Sequence, residues 1–476
     1  MMEQLSKKQV SVQEAKNIFL ADYPDYAKTS SIDELRKVDY PLLDETRHVY
    51  VDYTGSGLYA QSQLAEHQEL MRSHVFGNPH SSNPSSKAMT DLVKQARAFV
   101  LTYFNADPDE YVCIFTSNAS GALKLVGESY PFNEKSKYLL AFDNHNSVNG
   151  IREFARKRGA AVQYLPVNPP EMRMDEIKLL AALADKPSGQ SLFAFPAQSN
   201  FSGVQHPLDW IEKAHALGWD VLLDAAAFVP TNRLDLSAVH PDFVSLSFYK
   251  MFGYPTGVGA LIARKQALAK LTRPWFAGGT ITVASIQGDT YFLHEGAEGF
   301  EDGTLNFLML PAVEMGLKHI QAVGIDLIHR RVKSLTGWLL KSLTVLQHSN
   351  GKPVIKIYGP TDSDMRGGTI TFNLFDPDGH FIDHVYVEQQ ANKLNISLRS
   401  GCFCNPGGGE LALGLSAGEL TSCFAVQQRM DYEDFRRCID DKSTGAVRIS
   451  VGLVSNFEDA YTVVQFIRQF VDFGEN

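Results

Sequence analysis

The sequence has few cysteines and no surplus of positive charge. Its 476 residues include five cysteines, at positions 113, 402, 404, 423 and 438, and four of the five lie late in the chain. This usage is typical of a reducing compartment, where thiols do chemistry rather than form cross-links, and it predicts a cytoplasmic protein. The formal net charge of −10 at pH 7 does not favour nucleic acid or an anionic membrane as a partner.

Long hydrophobic runs are also missing. No uninterrupted apolar segment approaches the roughly 20 residues that span a bilayer. The N-terminal stretch MMEQLSKKQVSVQEAK lacks the apolar core of a signal peptide. We therefore expect no membrane partner. With 44% hydrophobic and 21% charged residues, the composition is that of an ordinary globular protein, long enough for two or three domains.

Short apolar strands alternate with helical segments from about residue 48 to residue 325. YVCIFTS (111–117), KYLLAFD (137–143) and DVLLDAAA (220–227) are three of these strands. The alternation predicts an α/β fold whose central sheet is mostly parallel. After about residue 330 the regular alternation of strands and helices ends, which predicts a smaller α+β domain. We expect a large domain over 46–330 and a small domain made of 1–45 and 331–476, with the N-terminal helices packing beside the C-terminal segment.

Polar clusters follow several of the predicted strands, where ligands of parallel sheets bind. They are TSNASGA (116–122), DNHNS (143–147), AQSN (197–200), and the pair Asp224 and Lys250 at the ends of two successive strands. An acid and an amine so placed form an ordinary salt bridge in many proteins. Together with a hydroxyl-rich turn and a histidine, they also supply what pyridoxal phosphate requires: a lysine, a carboxylate for the ring nitrogen, and a phosphate-binding turn.

The stretch LRSGCFCNPGGG (398–409) places two of the five cysteines one residue apart. Zinc takes about four ligands, with thiolate pairs usually spaced C-x₂₋₄-C, and a second pair is missing. A disulfide across one residue is strained, and cysteines also occur in glycine-rich loops without a function. We favour a reactive thiol on a flexible loop, with no metal. Cys402 is a resolving thiol, a second relay thiol or a residue with no role. Cys423 and Cys438 are expected to be structural, and Cys113 is expected in the core.

These segments resemble the class V, fold-type I pyridoxal-phosphate enzymes of the cysteine desulfurase family, and within it the desulfurase domain of molybdenum cofactor sulfurases. The resemblance is carried by GNPHSSNPSS (77–86), by the segment 224–264 that includes SLSFYKMFGYPTG, and by LRSGCFCNPG (398–407). It covers roughly residues 45–470. It implies fold type I of the pyridoxal-phosphate transferases, a pyridoxal 5'-phosphate cofactor, and a homodimer with shared sites.

The resemblance also implies a role for each matching residue. Lys250 would bind the cofactor and move protons, Asp224 would pair with the ring nitrogen, and His145 would stack on the ring. The other contacts are Asn200 to the ring hydroxyl, Ala119, Ser120 and Ser247 to the phosphate, Thr304 to the phosphate of the other subunit, and Arg448, helped by Arg399, to the substrate carboxylate. Cys404 would take sulfur from L-cysteine, release L-alanine and hold a persulfide for an acceptor.

Three functions remain open on the sequence. The first is a cysteine desulfurase that requires Cys404. The second is another reaction on the same scaffold, such as cleavage of a cysteine conjugate, selenocysteine lysis or an epimerase-like step, none of which requires Cys404. The third is a sulfur-carrying scaffold with a vestigial site. Because the chain ends before the C-terminal domain of molybdenum cofactor sulfurases, we expect a separate protein to accept the sulfur.

Overall fold

The computed structural model describes residues 11–79, 81–425, 430, 434, 438 and 445–474. The strands are β1 (Val49–Tyr50), β2 (Tyr111–Thr116), β3 (Lys137–Ala141), β4 (Ala161–Leu165), β5 (Val167–Asn168), β6 (Arg173–Met174), β7 (Leu192–Pro196), β8 (Asp220–Asp224), β9 (Phe243–Ser247), β10 (Gly259–Arg264), β11 (Ile281–Ser285), β12 (Thr290–Leu293), β13 (Ile355–Tyr358), β14 (Thr369–Phe375), β15 (Phe381–Ile382), β16 (Ile396–Ser397), β17 (Arg399–Gly401) and β18 (Ala446–Ser450). Residues 1–10 of the predicted small domain and His80 of the segment 77–86 lie outside the described residues.

The α-helices connect these strands and flank the sheets. They are α1 (Val12–Asp22), α2 (Ser31–Asp39), α3 (Pro41–Glu45), α4 (Gln61–Ser73), α5 (Pro84–Tyr103), α6 (Ala119–Ser129), α7 (Asn146–Asn149), α8 (Ile151–Lys157), α9 (Glu176–Ala184), α10 (Trp210–Ala216), α11 (Phe248–Phe252), α12 (Lys265–Leu268), α13 (Leu310–Val323), α14 (Ile325–Leu343), α15 (His384–Lys393), α16 (Pro406–Leu413), α17 (Ala417–Phe424) and α18 (Phe457–Arg468). Among the described residues, no helix is both long enough and apolar enough to cross a bilayer.

A seven-stranded sheet forms the centre of the fold, in the order β2-β10-β9-β8-β7-β3-β4. The pairs β9–β8, β8–β7, β7–β3 and β3–β4 are parallel, whereas β10 is antiparallel to both of its neighbours. Every residue of β3, β7, β8 and β9 is buried, because a parallel sheet is covered by its crossover helices. This is the mostly parallel α/β sheet that the alternation predicted.

A second, antiparallel sheet comes from the C-terminal part of the chain. Its order is β13-β14-β18-β17, with β15 beside β14. β1 pairs in parallel with β16, and Asp52 bridges Ser450 of β18. The stretch 49–52 therefore lies with this second sheet, although the sequence assigned it to the large domain. The expected domain boundary, after residue 330, falls inside α14. The division of the chain into two domains at that residue stays a prediction.

Buried arginines join the N-terminal helices to the C-terminal part of the chain. Arg331 of α14 is fully buried and donates to the carbonyl of Thr29 at 2.9 Å and to the hydroxyl of Tyr26 at 3.0 Å. Arg36 of α2 pairs with buried Asp459 at 2.5 Å. Separating such a pair would leave a buried charge without a partner. These bonds hold the N-terminal helices against α14 and the C-terminal segment.

The cysteines have three different environments. Cys113 is buried in β2, as expected, and burial raises the pKa of its thiol to about 12. Cys402 and Cys404 are free and exposed. Cys423 and Cys438 form a disulfide. The disulfide agrees with the structural role expected for this pair, whereas the general expectation that thiols of this chain do not form cross-links does not hold for it.

Candidate active site

A cavity of about 280 Å³ opens at the carboxyl ends of the parallel strands. Seven of the predicted site residues line it: Ala119, Ser120, His145, Asn200, Asp224, Ser247 and Lys250. They come from five separate connections of the large sheet. Parallel strands present their carboxyl ends at one edge, so residues distant in sequence converge there.

The strand-end group consists of Asp224, Ser247 and Lys250. Asp224 ends β8, and its Oδ1 accepts hydrogen bonds from the amide of Ala226 at 3.1 Å and from the hydroxyl of Ser245 at 3.0 Å. Lys250 lies in α11, three residues beyond the end of β9. Burial lowers the pKa of Lys250, and the nearby charge of Asp224 opposes this shift. An amine that loses its proton more readily is a better nucleophile and proton acceptor.

An anion-binding turn lies at the start of α6. Asn118 caps this 11-residue helix by accepting a hydrogen bond from the amide of Gly121 at 2.9 Å. The hydroxyl of Ser247 accepts a bond from the amide of Ala119 at 3.1 Å, and Ser120 and Ser147 join their hydroxyls at 2.6 Å. A helix N-terminus with hydroxyls around it favours a phosphate.

His145 is held as a neutral ring beside the cavity. Its Nδ1 accepts a hydrogen bond from the amide of Ser147 at 3.1 Å, so the proton of the neutral ring is on Nε2. Burial lowers the pKa of His145, the charge of Asp224 opposes that shift, and Lys250 and Arg448 lower the pKa further. A neutral imidazole can stack on an aromatic ring without carrying a charge into the cavity.

The cysteine loop, residues 401–405, is docked on the large sheet. The amide of Asn146 donates to the carbonyl of Cys404 at 2.7 Å, and the side chain of Asn200 donates to the carbonyl of Phe403 at 2.8 Å. Asn405 donates from Nδ2 to the carbonyl of Asp143 at 2.7 Å and to Oδ1 of Asn200 at 2.9 Å. The sequence predicted a flexible loop, but in this conformation four hydrogen bonds hold it while the Cys404 side chain stays exposed.

The backbone of the cysteine loop is unusual. Phe403 and Cys404 have φ values of 56° and 53°, and Gly401 has φ of 112°. Non-glycine residues adopt this left-handed region rarely, and surrounding contacts must stabilise it. The buried ring of Phe403 supplies one such contact, since it lies 5.7 Å from the ring of Phe201 and 4.6 Å from the guanidinium of Arg448.

Arg399 and Arg448 lie directly opposite each other on β17 and β18. Arg448 is 3% exposed; burial lowers its pKa to about 10, while Asp52 raises it. Its Nη1 donates to the carbonyl of Asn200 at 3.0 Å and its Nη2 to Asp52 at 3.1 Å. A buried guanidinium beside the cavity is suited to bind a carboxylate.

Arg399, Cys404 and Arg448 lie outside the lining of this cavity. Thr304 is the one predicted cofactor contact that the structure does not bring there. It lines a separate cavity of about 400 Å³ beside α6 and a groove formed with residues of the segment 77–86. Within one chain it therefore does not contact the strand-end group. Its proposed role requires a second copy of the chain.

Sequence reasoning missed Asp52, Asn405 and Gln198. Asp52 follows the first strand in HVYVDYTGSG, and a carboxylate at a strand end was the available signal. Asn405 directly follows Cys404, but only the folded chain shows that it binds the loop to Asp143 and Asn200. Gln198 lines the cavity, and its Oε1 accepts from Gln205 at 3.1 Å.

One group of possible metal ligands occurs among the described residues, at Asp376, Asp378 and His380. Asp376 already accepts hydrogen bonds from the amides of Gly379 and His380, each at 2.8 Å. This is the ordinary geometry of a tight turn capped by its own aspartate. The group lies between β14 and β15 and plays no part in the site above.

The cavity fits a pyridine ring that carries a phosphate. Both hydrogen bonds that the Asp224 carboxylate accepts from described residues go to Oδ1, which leaves Oδ2 for a ring nitrogen. The capped start of α6 suits the phosphate, and Lys250 supplies an amine of lowered pKa. Gly259 allows this arrangement, because a Cβ there would lie 2.6 Å from the backbone of Asn118.

Comparison with known proteins agrees with this geometry. Residues 49–461 match the family described as aminotransferase class-V. The molybdenum cofactor sulfurase of Solanum lycopersicum is 38% identical over 493 residues, which cover 96% of this chain and 60% of that protein. The chain thus spans about 60% of the length of the curated relatives it matches.

Solved structures share the fold at lower identity. The apo structure of a cysteine desulfurase from Thermococcus onnurineus NA1 has a TM-score of 0.75 and 23% identity, covering 92% of this chain and 98% of that one. A C-DES mutant with glycine covalently linked to its PLP cofactor has a TM-score of 0.68 and 17% identity, covering 91% and 99%. These likenesses confirm the predicted fold class.

Proposed function

This chain belongs to the class-V aminotransferase family, and we propose that it is a pyridoxal 5'-phosphate-dependent cysteine desulfurase. The observation that carries the proposal is the convergence of two groups. Lys250 and Asp224 line one cavity, and Cys404 is bound through its carbonyl to Asn146, the neighbour of His145 in that cavity. A lyase of the same family would need the first group but not an exposed cysteine beside it.

Each residue of the cavity would have its own role in binding the cofactor. When bound, pyridoxal phosphate supplies an electron sink for the bonds of an amino acid. Lys250 would bind it, Asp224 Oδ2 would pair with its ring nitrogen, and the start of α6 would hold its phosphate. His145 would lie against the ring, and Asn200 would reach its hydroxyl with the second hydrogen of its amide.

The substrate would be L-cysteine, with its carboxylate on Arg448. The Cys404 thiolate attacks the substrate sulfur, so that an S–S bond forms and the C–S bond breaks. The electron pair of the C–S bond stays on carbon, and that carbon takes a proton. The products are a Cys404 persulfide and L-alanine. Lys250, whose pKa is lowered by burial, can carry the proton between the substrate carbons.

We also propose that the persulfide sulfur passes to an acceptor protein. The exposed Cys404 side chain supports this, because an acceptor must reach the persulfide from solvent. The curated relatives are named for sulfuration of the molybdenum cofactor, which makes a partner of that pathway the first acceptor to assay.

A homodimer in the cytoplasm is a further proposal. Thr304 supports the dimer, since it lines a groove away from the strand-end group and would need a second copy to reach a phosphate site. The low cysteine content and the three free thiols support the cytoplasm, whereas the Cys423–Cys438 disulfide is uncommon in that compartment. Light scattering should give twice the chain mass of 52.8 kDa, and a fully active monomer would contradict the dimer.

The experiment compares wild type with Cys404→Ala and the matched control Cys402→Ala, each loaded with pyridoxal phosphate. Alanine release from L-cysteine and alkylation-based labelling of the protein persulfide are measured together. We expect wild type and Cys402→Ala to give both products. Cys404→Ala should lose both by at least about a hundredfold, because a nucleophile has been removed.

Two outcomes contradict the proposal. Alanine formation that survives Cys404→Ala would indicate a lyase or another family reaction. A wild type that releases alanine without a protein persulfide would show that the cysteine loop does not accept the sulfur.

A further inference from the structure

Asp52 joins the two arginines that lie opposite each other on β17 and β18. Its Oδ2 accepts from Arg399 Nη2 at 2.7 Å and Nε at 2.9 Å, and its Oδ1 accepts from Arg399 Nε at 3.2 Å. One further bond runs from Arg448 Nη2 to Oδ1 at 3.1 Å. Three of these four contacts go to Arg399, so Arg399 is the main hydrogen-bond partner of the carboxylate.

The local fold is built around this contact. Like charges directly opposite each other on adjacent strands repel, and a bridging carboxylate offsets that repulsion. Asp52 is 7% exposed, and its carbonyl accepts from the amides of Gly55 at 2.9 Å and Ser56 at 3.1 Å. A Cβ on Gly55 would lie 2.6 Å from Asp52 Oδ2 and 2.7 Å from Arg399 Nη2. The glycine turn therefore leaves room for the ion pair alone.

Arg448 keeps unused donor capacity. Its Nε is buried and has no hydrogen-bond partner among the described residues. An unpaired buried donor of this kind is costly unless a ligand satisfies it. Two guanidinium groups and one carboxylate leave a single net positive charge, and the unpaired Nε leaves Arg448 with a free donor for an anion.

We propose that Asp52 is a positioning and specificity residue that neutralises Arg399 and leaves Arg448 as one anion site, so that the cavity selects amino acids with a single carboxylate. The proposal rests on the substrate role of Arg448 in the proposed function. It also assigns Arg399 to anchoring β17, which leads into the cysteine loop, rather than to binding substrate. An amino acid with a second acidic group meets no second free guanidinium.

The test is a double-mutant cycle on the pyridoxal-phosphate-loaded protein with Asp52→Asn, Arg399→Gln and both together. Calorimetry measures the dissociation constants of L-alanine and L-aspartate, which carry one and two carboxylates. We expect Asp52→Asn to shift the preference about tenfold toward L-aspartate, because a second guanidinium becomes free. The double variant restores one net positive charge and should return to within about threefold of the wild-type preference.

The single variant Arg399→Gln tests the role of Asp52 independently if Asp52→Asn fails to fold. Asp52 is then free to neutralise Arg448, and L-alanine should bind about tenfold more weakly. A merely structural role for Asp52 predicts that the double variant is no better than either single variant.

Several results would overturn the inference: an unchanged preference in Asp52→Asn, a double variant that keeps the altered preference, or a wild type that binds neither amino acid. Turnover separates the two proposals. If the preference shifts as expected while wild type makes no alanine from L-cysteine, the desulfurase proposal fails and the role of Asp52 stands.

Discussion

The strand-end group lines the cavity, whereas the cysteine loop is bound to the cavity residue Asn200, and the two regions are held in different ways. Asp224 and Ser247 end strands whose residues are all buried, so the ladder of the large sheet positions them. Phe403 and Cys404 have left-handed backbone conformations and depend on bonds to residues far away in sequence, such as that from Asn200, 203 residues from Phe403.

This difference separates two requirements of the chemistry. A cofactor needs groups that do not move, and strand ends of a buried sheet provide them. A sulfur carrier must release its cargo outward, and a loop held by a few hydrogen bonds can open. The two regions therefore make different predictions for their variants, and the following three are ordered from the largest effect to the smallest.

Lys250→Ala tests the strand-end group. Removal of the amine should lower turnover by at least about a thousandfold, because no other lysine among the described residues lines this cavity to replace the nucleophile and proton carrier. Thermal unfolding should change little, because burial already disfavours the charged form of this amine. The exposed Lys94 gives the matched control, and Lys94→Ala should retain wild-type turnover. Turnover of Lys250→Ala within tenfold of wild type would remove the lysine from the mechanism.

Asn405→Ala tests the cysteine loop. The variant loses the bonds to Asp143 and Asn200 and the cap of α16, which costs about 1 kcal/mol of unfolding free energy. The loop should open more often, so Cys404 should react with a thiol reagent about threefold to tenfold faster. The measurement uses a Cys402→Ala background, in which the buried Cys113 and the disulfide leave Cys404 as the reporter.

The exposed Asn392 of α15 serves as the control for Asn405, since Asn392→Ala leaves the loop contacts intact. Equal thiol reactivity in Asn405→Ala and wild type would mean that these hydrogen bonds do not restrain the loop. The proposed difference in mobility between the strand-end group and the cysteine loop would then not be explained by these hydrogen bonds.

His145→Gln tests how the neutral ring contributes to pH dependence. The pKa of His145 lies below its ordinary 6.5, chiefly because of burial. The folded state thus binds fewer protons than the unfolded state just below that pH, and stability falls as the pH drops through 6.5. Without the ring, the protein should lose slightly less stability on acidification. The measurement is the difference in thermal unfolding midpoint between pH 7.5 and pH 5.5. An equal difference in unfolding midpoint for His145→Gln and wild type would mean that the ring is in contact with solvent.

Sequence reasoning reached the strand-end group because its signals are local. Apolar runs such as DVLLD and FVSLS mark buried strands, and polar residues directly after them mark the ligand edge. The resemblance then matched Lys250, Asp224 and His145 to roles, and the structure places all three around one cavity. The short helix around Lys250 and the antiparallel β10 were not foreseen, since five or six residues carry too weak a pattern.

The residues that hold the cysteine loop and the arginine pair were less accessible. Asp52 lies 347 residues from Arg399 and 396 residues from Arg448. The local sequence HVYVDYTGSG does not predict that these arginines are its partners. The docking of the loop through Asn146 and Asn405 and the separation of Thr304 from the cavity depend on the path of the chain. Pairing across such distances is decided by the packing of two sheets rather than by local pattern.

The α/β class, the parallel sheet and the chemical types available for the reaction follow from the order of the amino acids, because hydrophobic periodicity and residue type are local properties. Folding settles which carboxylate pairs with which arginine, which atoms anchor the cysteine loop and which donor of Arg448 has no partner among the described residues. Those outcomes depend on distances of a few ångströms between segments hundreds of residues apart, and such distances exist only after the two sheets have packed.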